Sequence, residues 1–377
     1  FAQEAMMDDI AGELSMDPVD FRLMNMYHGY FGDPFLKEIA ANTNGAVACI
    51  EKGREYIHWD EKRAFYKNQT GNIRRGVGMA VFSYKTGVYP ISLEIAGARM
   101  GLNQDGSIQL SLGATEIGQG ADTVFCQMAA ETLHLPVEQI HIETVQDTDI
   151  SPFDTGAYAS RQTYVTGTAI KECAKLLTEK ILAYARKLLD NTKDELTMKN
   201  GEIYEDGEPA MTLEALAMES YYSLTDSSVI TAEVSRQVKN NTISFGCCFA
   251  EVEVDIKLGK VKVTDIINVH DSGILINPQL ATMQVHGGMS LGLGYGLSEQ
   301  MILDEKTGKV LNGTLLDYKL QTMMDAPDLS VDFVQLDDPT GPYGNKALGE
   351  PPACSGAPAI RNAILTATGV AIDQNPM

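Results

Sequence analysis

The chain has 377 residues, 44% of them hydrophobic, with 34 Gly and 14 Pro, which is enough to build two or three units around a core that needs no staples. No run approaches the roughly eighteen apolar residues of a membrane span, and the start shows no charged-then-apolar leader pattern; Phe1 reads as an internal cut, either a processed product, a split subunit or a missing upstream region. The net charge of −22 is spread along the chain, which argues against nucleic acid or an anionic membrane as partner.

In chain order, residues 1–60 read as helices. Ile10 and Leu14 are four apart, Asp17-Pro18 is a cap followed by a first-turn proline, and Val47 to Tyr56 forms a further helical run. After Arg75 come short apolar runs at 78–82, 93–96 and 108–112, with Asp105-Gly106 as a hairpin turn. Helices are expected over about Ala121–Leu133 and Tyr164–Leu189, the second with Ile170, Cys173, Leu177, Ile181 and Leu188 at helical spacing. A weak strand pair surrounds Gly201, and a polar connector over Thr225–Asn241 suggests a lobe boundary. Residues 250–255 and 260–263 alternate around Leu258-Gly259 as a hairpin with one solvated face. Asn277-Pro278 opens a helix, Gly287–Gly296 starts a buried one, and a last helix covers Ala357–Thr368. The mixture indicates an α+β protein with two mixed lobes and an N-terminal helical segment, divided as 1–75, 76–225 and 226–377.

Four segments could carry chemistry. Gly113–Gly120 joins a strand to a helix N-terminus; an ordinary turn and a phosphate or pterin cradle both fit it. Gly156–Thr163 puts Ser160, Arg161, Gln162 and Thr163 before another helix, where the guanidinium suits a carbonyl or phosphate unless it is a surface arginine beside a cap. Glu350, between Gly349 and Pro351-Pro352, is either a solvated loop residue or a carboxylate that apolar neighbours adapt to general-base work. Asn268–Gly273 contains His270, which lacks a second histidine at ligand spacing and reads as a satisfied structural residue. The six histidines form no metal motif, and the six cysteines form no C-x-x-C pair; they read as buried thiols of a cytoplasmic protein, which speaks against an iron–sulfur cluster or structural zinc within this chain.

Taken in this order, the opening Phe1–Asn25 stretch, the loops at 114–123 and 159–163, the 271–296 block and Lys346–Gly369 resemble the molybdenum hydroxylases of the xanthine dehydrogenase and aldehyde oxidase family. The resemblance covers essentially the whole sequence and corresponds to the C-terminal half of the family's molybdenum-binding subunit. It implies the family's molybdopterin-binding fold and a molybdenum ion held by a pterin dithiolene, in bacterial relatives the cytosine dinucleotide form, with no protein metal ligand. Glu350 matches the family's base, which deprotonates the oxygen nucleophile that attacks an electron-poor ring carbon. Gly118, Gln119 and Gly120 match one pterin loop, and Ala159, Ser160, Arg161, Gln162 and Thr163 match another, with helix N-termini suited to the pyrophosphate. Val88 and Tyr89 fall where the family lines its substrate pocket. Leu291 stands where some members have Gln. The implied activity is hydroxylation of a purine of the xanthine or hypoxanthine type with water as oxygen source; nicotinate, another N-heterocycle or an aldehyde is the alternative substrate, and a non-catalytic cofactor-carrying subunit the alternative role. The implied partners are the N-terminal half of the molybdenum subunit and subunits carrying Fe–S clusters and FAD.

Overall fold

The computed structural model describes residues 1–32, 39–190 and 195–377. In chain order the chain forms helices α1 (Ala2–Glu13) and α2 (Pro18–Asn25), short strands β1 (Phe31–Gly32) and β2 (Ile39–Ala41), and helices α3 (Ala46–Tyr56) and α4 (Trp59–Tyr66). Strands β3 (Ile73–Lys85), β4 (Ile95–Leu102) and β5 (Ile108–Leu112) lead to α5 (Ala121–Leu133), β6 (Ile140–Ile142) and the long α6 (Gln162–Leu188). Then come β7 (Leu196–Lys199), β8 (Glu202–Glu205), β9 (Glu208–Thr212), α7 (Leu213–Tyr222), β10 (Thr231–Gln237), β11 (Asn241–Asp255) and β12 (Lys260–Asp271). The last elements are α8 (Pro278–Leu297), β13 (Leu329–Phe333) and α9 (Gly356–Thr368). The fold is α+β. No helix of the described residues is long and apolar enough to cross a membrane.

The chain divides into two compact units, and the division differs from the one expected. The first comprises residues 1–85, 242–338 and 346–377; the second comprises 86–241 and 339–345. A cut at residue 75 would part β3 from its own sheet, because β3 pairs along β11 from Ile73↔Asp255 to Lys85↔Ile243. The connector expected over 225–241 is occupied by β10, which pairs antiparallel with β4 inside the second unit.

In the first unit the sheet runs β1-β2-β11-β12-β13 among the described residues, with β3 also on β11. Period-two alternation splits its side chains between two cores. Ala80, Cys248, Ala250, Val252, Val254, Val263 and Ile266 meet Val285, Met289 and Leu293 of α8 and Ile360, Ala363 and Ile364 of α9. Val77, Met79, Cys247, Phe249, Ile267 and Val269 meet Val19, Cys49, Ile50, Ile57 and Trp59. The β11–β12 hairpin has the solvated face its pattern suggests, with Lys260 and Lys262 exposed opposite the buried Val263, except at Glu251, which is buried and accepts hydrogen bonds from Lys62 and Tyr66 of α4. Helix α1 also turns the other way from its apolar pair. Ile10 and Leu14 are exposed, while Glu4 and Asp8 face inward because Arg22 pairs with both, at 2.9 and 2.6 Å. The cap at Asp17 forms as expected, accepting from Val19 N–H at 2.8 Å. The part of the N-terminal helical expectation that covers 33–38 lies outside the described residues.

Helix α9 approaches β3 closely. A Cβ built on Gly78 would lie 2.1 Å from the Ala363 nitrogen, so only glycine permits this contact. α8 begins at Pro278, capped by the Asn277 side chain, and is buried on one side; Leu291 and Tyr295 are exposed.

The second unit has a sheet of order β10-β4-β5-β6 and a smaller one of order β7-β8-β9. Asp105-Gly106 turns the β4–β5 hairpin as expected. α6 buries Ile170, Cys173, Leu177 and Ile181 of the stripe read from spacing, with Leu188 only half-buried at its end.

Replacing Gly78 by Ala is expected to destabilise the protein by about 1–3 kcal/mol through overpacking against α9. The measurement is the chemical-denaturation midpoint, and an unchanged midpoint would contradict the close packing.

Candidate functional site

In the first unit the backbone around Glu350 is held at several points. Lys346 Nζ and Asp271 Oδ2 are 2.7 Å apart, and neither side chain has any solvent exposure. Asp271 also accepts Gly45 N–H at 2.8 Å, and Lys346 Nζ donates to Thr43 Oγ1 at 3.1 Å. Further along, Ser244 Oγ donates to the Ala347 carbonyl, Gln284 Nε2 to that of Gly349, and Asn268 Nδ2 to that of Pro352. Glu350 opens a short 3-10 turn, Pro351–Ala353, whose prolines are buried. Its own side chain is exposed, and Tyr84 on β3 donates its hydroxyl to Glu350 Oε2 at 2.6 Å. The apolar shelter expected from the neighbouring prolines is thus absent at the carboxylate. Tyr84 is far from Glu350 in sequence and carried no signal.

His270, next to Asp271 on β12, is fully buried against Phe82 and Phe333, with ring centroids 5.1 and 6.3 Å away. Neither ring nitrogen has a hydrogen-bond partner among the described residues, which corrects the expectation of a satisfied histidine. Burial pushes its pKa down to about 3.

In the second unit the two loops expected to bind cofactor are joined. Gln119 Nε2 donates to Gln162 Oε1 at 2.9 Å, and both amides donate to the Thr115 carbonyl. Gly118 and Gly120 adopt left-handed φ values of 101° and 83°, so glycine is required there. The carboxylate of Glu116 accepts the N–H groups of Gly118, Gly120 and Asp122 at 2.7, 3.1 and 3.1 Å. Burial opposes the charge, but these bonds hold the Glu116 pKa below the usual carboxylate range. The donors at the start of α5, expected to suit a pyrophosphate, are therefore turned on the chain's own glutamate.

Ala159 and Ser160 both have positive φ, 48° and 50°, unusual for non-glycine residues and a mark of a backbone fixed by its surroundings. Arg161 follows them directly. Its guanidinium is neither a surface group nor turned to a ligand: the side chain has no exposure and pairs with Glu94 and with Asp154, the latter at 2.6 Å. It also donates to the carbonyls of Gly156 and Ile95 at 2.9 and 2.8 Å. Thr163 lies half-buried in the first turn of α6. Val88 and Tyr89 are half-buried in the loop before β4; Val88 N–H donates to Glu94 Oε1, and Asn241 donates to the Tyr89 carbonyl. Sequence reasoning missed Glu94, Glu116 and Asp154. Glu94 had one available signal: a lone charge in the apolar run Leu93–Ala96.

The described residues contain no group of three or more His, Cys, Asp or Glu that could hold a metal ion. The glycine loops with Gln119 and Gln162 offer backbone groups and amides, a donor set that fits an organic group rather than a bare metal ion.

The family model described as a molybdopterin cofactor-binding domain matches residues 52–327. The chain is 48% identical over its full length to half of the xanthine dehydrogenase molybdenum-binding subunit of Escherichia coli O157:H7. It is 27% identical, again over 100% of its length, to 49% of the aldehyde oxidoreductase molybdenum-binding subunit of Escherichia coli K12. Among solved structures, quinoline 2-oxidoreductase from Pseudomonas putida 86 superposes with a TM-score of 0.87 at 23% identity, covering 100% of this chain and 50% of that one, and shares the fold. The chain thus spans about half the length of the curated relatives it matches.

Because the His270 pKa is lowered, the unfolded chain binds a proton that the folded one refuses, so its contribution to stability is present above about pH 6.5 and is lost as pH falls toward 3. His270→Leu is expected to flatten the fall of the denaturation midpoint across that window; an equally steep fall in the variant would refute this.

Proposed function

Because the chain belongs to the molybdopterin cofactor-binding domain family, we propose that it is the base-bearing part of a molybdenum hydroxylase and that Glu350 is the base. The observation that carries the assignment is the carboxylate itself: it is exposed on a backbone pinned by a buried ion pair, with one oxygen oriented by Tyr84. A base needs that combination of access and fixed direction. The proposed reaction is hydroxylation of a purine of the xanthine or hypoxanthine type, with water as the source of oxygen. The 48% identity to a xanthine dehydrogenase subunit favours the purine. Nicotinate, another N-heterocycle or an aldehyde is the second reading, supported by the relative named for aldehyde oxidation.

When bound, the molybdenum–pterin group supplies a two-electron acceptor and a site at which water's oxygen becomes a nucleophile. The residues we assign to holding it are Gly118, Gln119 and Gly120 with Ala159, Ser160, Gln162 and Thr163, through backbone and amide groups. Arg161 joins this set as the residue that shapes the loop. We assign the cytosine dinucleotide form to the group, and we assign Val88 and Tyr89 to the substrate side. Glu350 accepts the proton lost from the oxygen nucleophile, and the Tyr84 hydroxyl keeps the carboxylate aimed while it does so.

The rest of the enzyme supplies what this chain lacks in the proposal: the remaining half of the molybdenum subunit, and Fe–S and FAD subunits that carry electrons away. All six cysteines are free thiols, four of them buried, which supports a cytoplasmic setting.

In the purified complex, Glu350→Gln is expected to lower xanthine turnover roughly a thousandfold with molybdenum content unchanged. Activity within a few-fold of the parent would exclude Glu350 as the base. Turnover of nicotinate or an aldehyde, with none of xanthine, would replace the purine reading by the second one.

A further inference from the structure

Glu94 sits where the loop carrying Val88 and Tyr89 enters β4, and its side chain is 2% exposed. Its two carboxylate oxygens serve different loops. Oε1 accepts Val88 N–H at 2.5 Å, and Oε2 accepts Arg161 Nε. Arg161 in turn holds Gly156 and Asp154, and so sets the backbone of the 156–161 loop. A second link runs beside the first: Gly87 N–H donates to the Ala159 carbonyl at 2.8 Å. The fit is tight, because a Cβ on Gly87 would lie 2.6 Å from Glu94 Oε1, and Gly87 has a φ of +75°.

Charge balance does not explain Glu94. Asp154 alone neutralises Arg161, at 2.6 Å with neither side chain exposed, so the second buried carboxylate is surplus and costs desolvation. Direction explains it: only an acceptor with two oxygens at the end of a glutamate-length side chain can bridge an amide in one loop and a guanidinium in the other.

We propose that Glu94 is a positioning residue that couples the loop of Val88 and Tyr89 to the loop of Ala159–Thr163, so that seating the pterin group against the second orders the first. The inference rests on the assignment of Val88 and Tyr89 to substrate and of Ala159–Thr163 to cofactor. It makes the substrate side dependent on cofactor loading, and it places selectivity partly in a residue that touches neither ligand.

The test is hydrogen exchange of peptides covering 86–93 and 156–163 in the purified complex, with and without its cofactor, alongside kinetics on xanthine. In the parent, loading is expected to slow exchange in both peptides together. In Glu94→Gln a single amide oxygen can serve Val88 or Arg161 but not both. The 156–163 peptide should still respond to loading while 86–93 does not, and KM should rise about tenfold, with kcat within about threefold and molybdenum retained. If 86–93 in the variant is protected as in the parent, or KM is unmoved, the coupling is refuted. Tyr89→Ala separates the two ideas: a KM unchanged in that variant overturns the substrate assignment itself, whereas a KM raised in Tyr89→Ala but not in Glu94→Gln overturns only the coupling. Should Glu94→Gln fail to assemble, Glu94→Asp keeps the charge but is too short to span both partners, and the same outcomes apply.

Discussion

Lys346 and Asp271 face each other with no solvent on either side chain, and the position of Glu350 depends on them. Burying two charges costs several kcal/mol each unless the pair is close and its remaining donors and acceptors are met. Here both conditions hold: the ammonium also reaches Thr43 and the carboxylate also takes Gly45 N–H. Removing either partner would leave an uncompensated charge, a loss of about 3–5 kcal/mol. The pair therefore anchors the segment four residues before Glu350, and the carbonyl contacts of Ala347, Gly349 and Pro352 extend that anchoring through it. An exposed carboxylate on such a backbone keeps a direction that a surface loop alone would not give it.

The second unit uses charge in the same internal way. Glu116 gathers the N–H groups of its own glycine loop, and Arg161 is paired with both Asp154 and Glu94. Groups that a motif would assign to an anionic ligand instead shape the loops. If these loops hold the pterin as proposed, what remains to meet it is backbone, hydroxyl and carboxamide, with hydrogen-bonding capacity and no net charge. That suits a neutral heterocycle better than a phosphate at the start of α5.

Much of the fold was legible because it follows local rules. The Asp17 and Asn277 caps, the Asp105-Gly106 turn and the stripe of α6 each depend on residues a few positions apart. Where the local pattern falls short on these elements, the cause lies in another segment. The β11–β12 hairpin keeps its solvated face at Lys260 and Lys262, but α4 meets Glu251 and buries it; on α1 the apolar pair Ile10 and Leu14 is exposed, while Arg22 draws Glu4 and Asp8 inward. In each case a partner from another segment acts, and spacing within one segment cannot reveal that partner.

The amino-acid sequence by itself determined most of the long helices, the α+β class and the family resemblance, because residue order and short spacings carry that information, and it singled out Glu350 as the candidate base. Only the tertiary structure decided how these residues are used. It set Tyr84 on Glu350, buried Arg161 between two carboxylates, and gave Glu94 an oxygen for each of two loops. Those pairings join residues as far apart as 266 positions, and for the buried Arg161 and Glu94 the direction is fixed by where burial makes an unpaired charge too costly to keep.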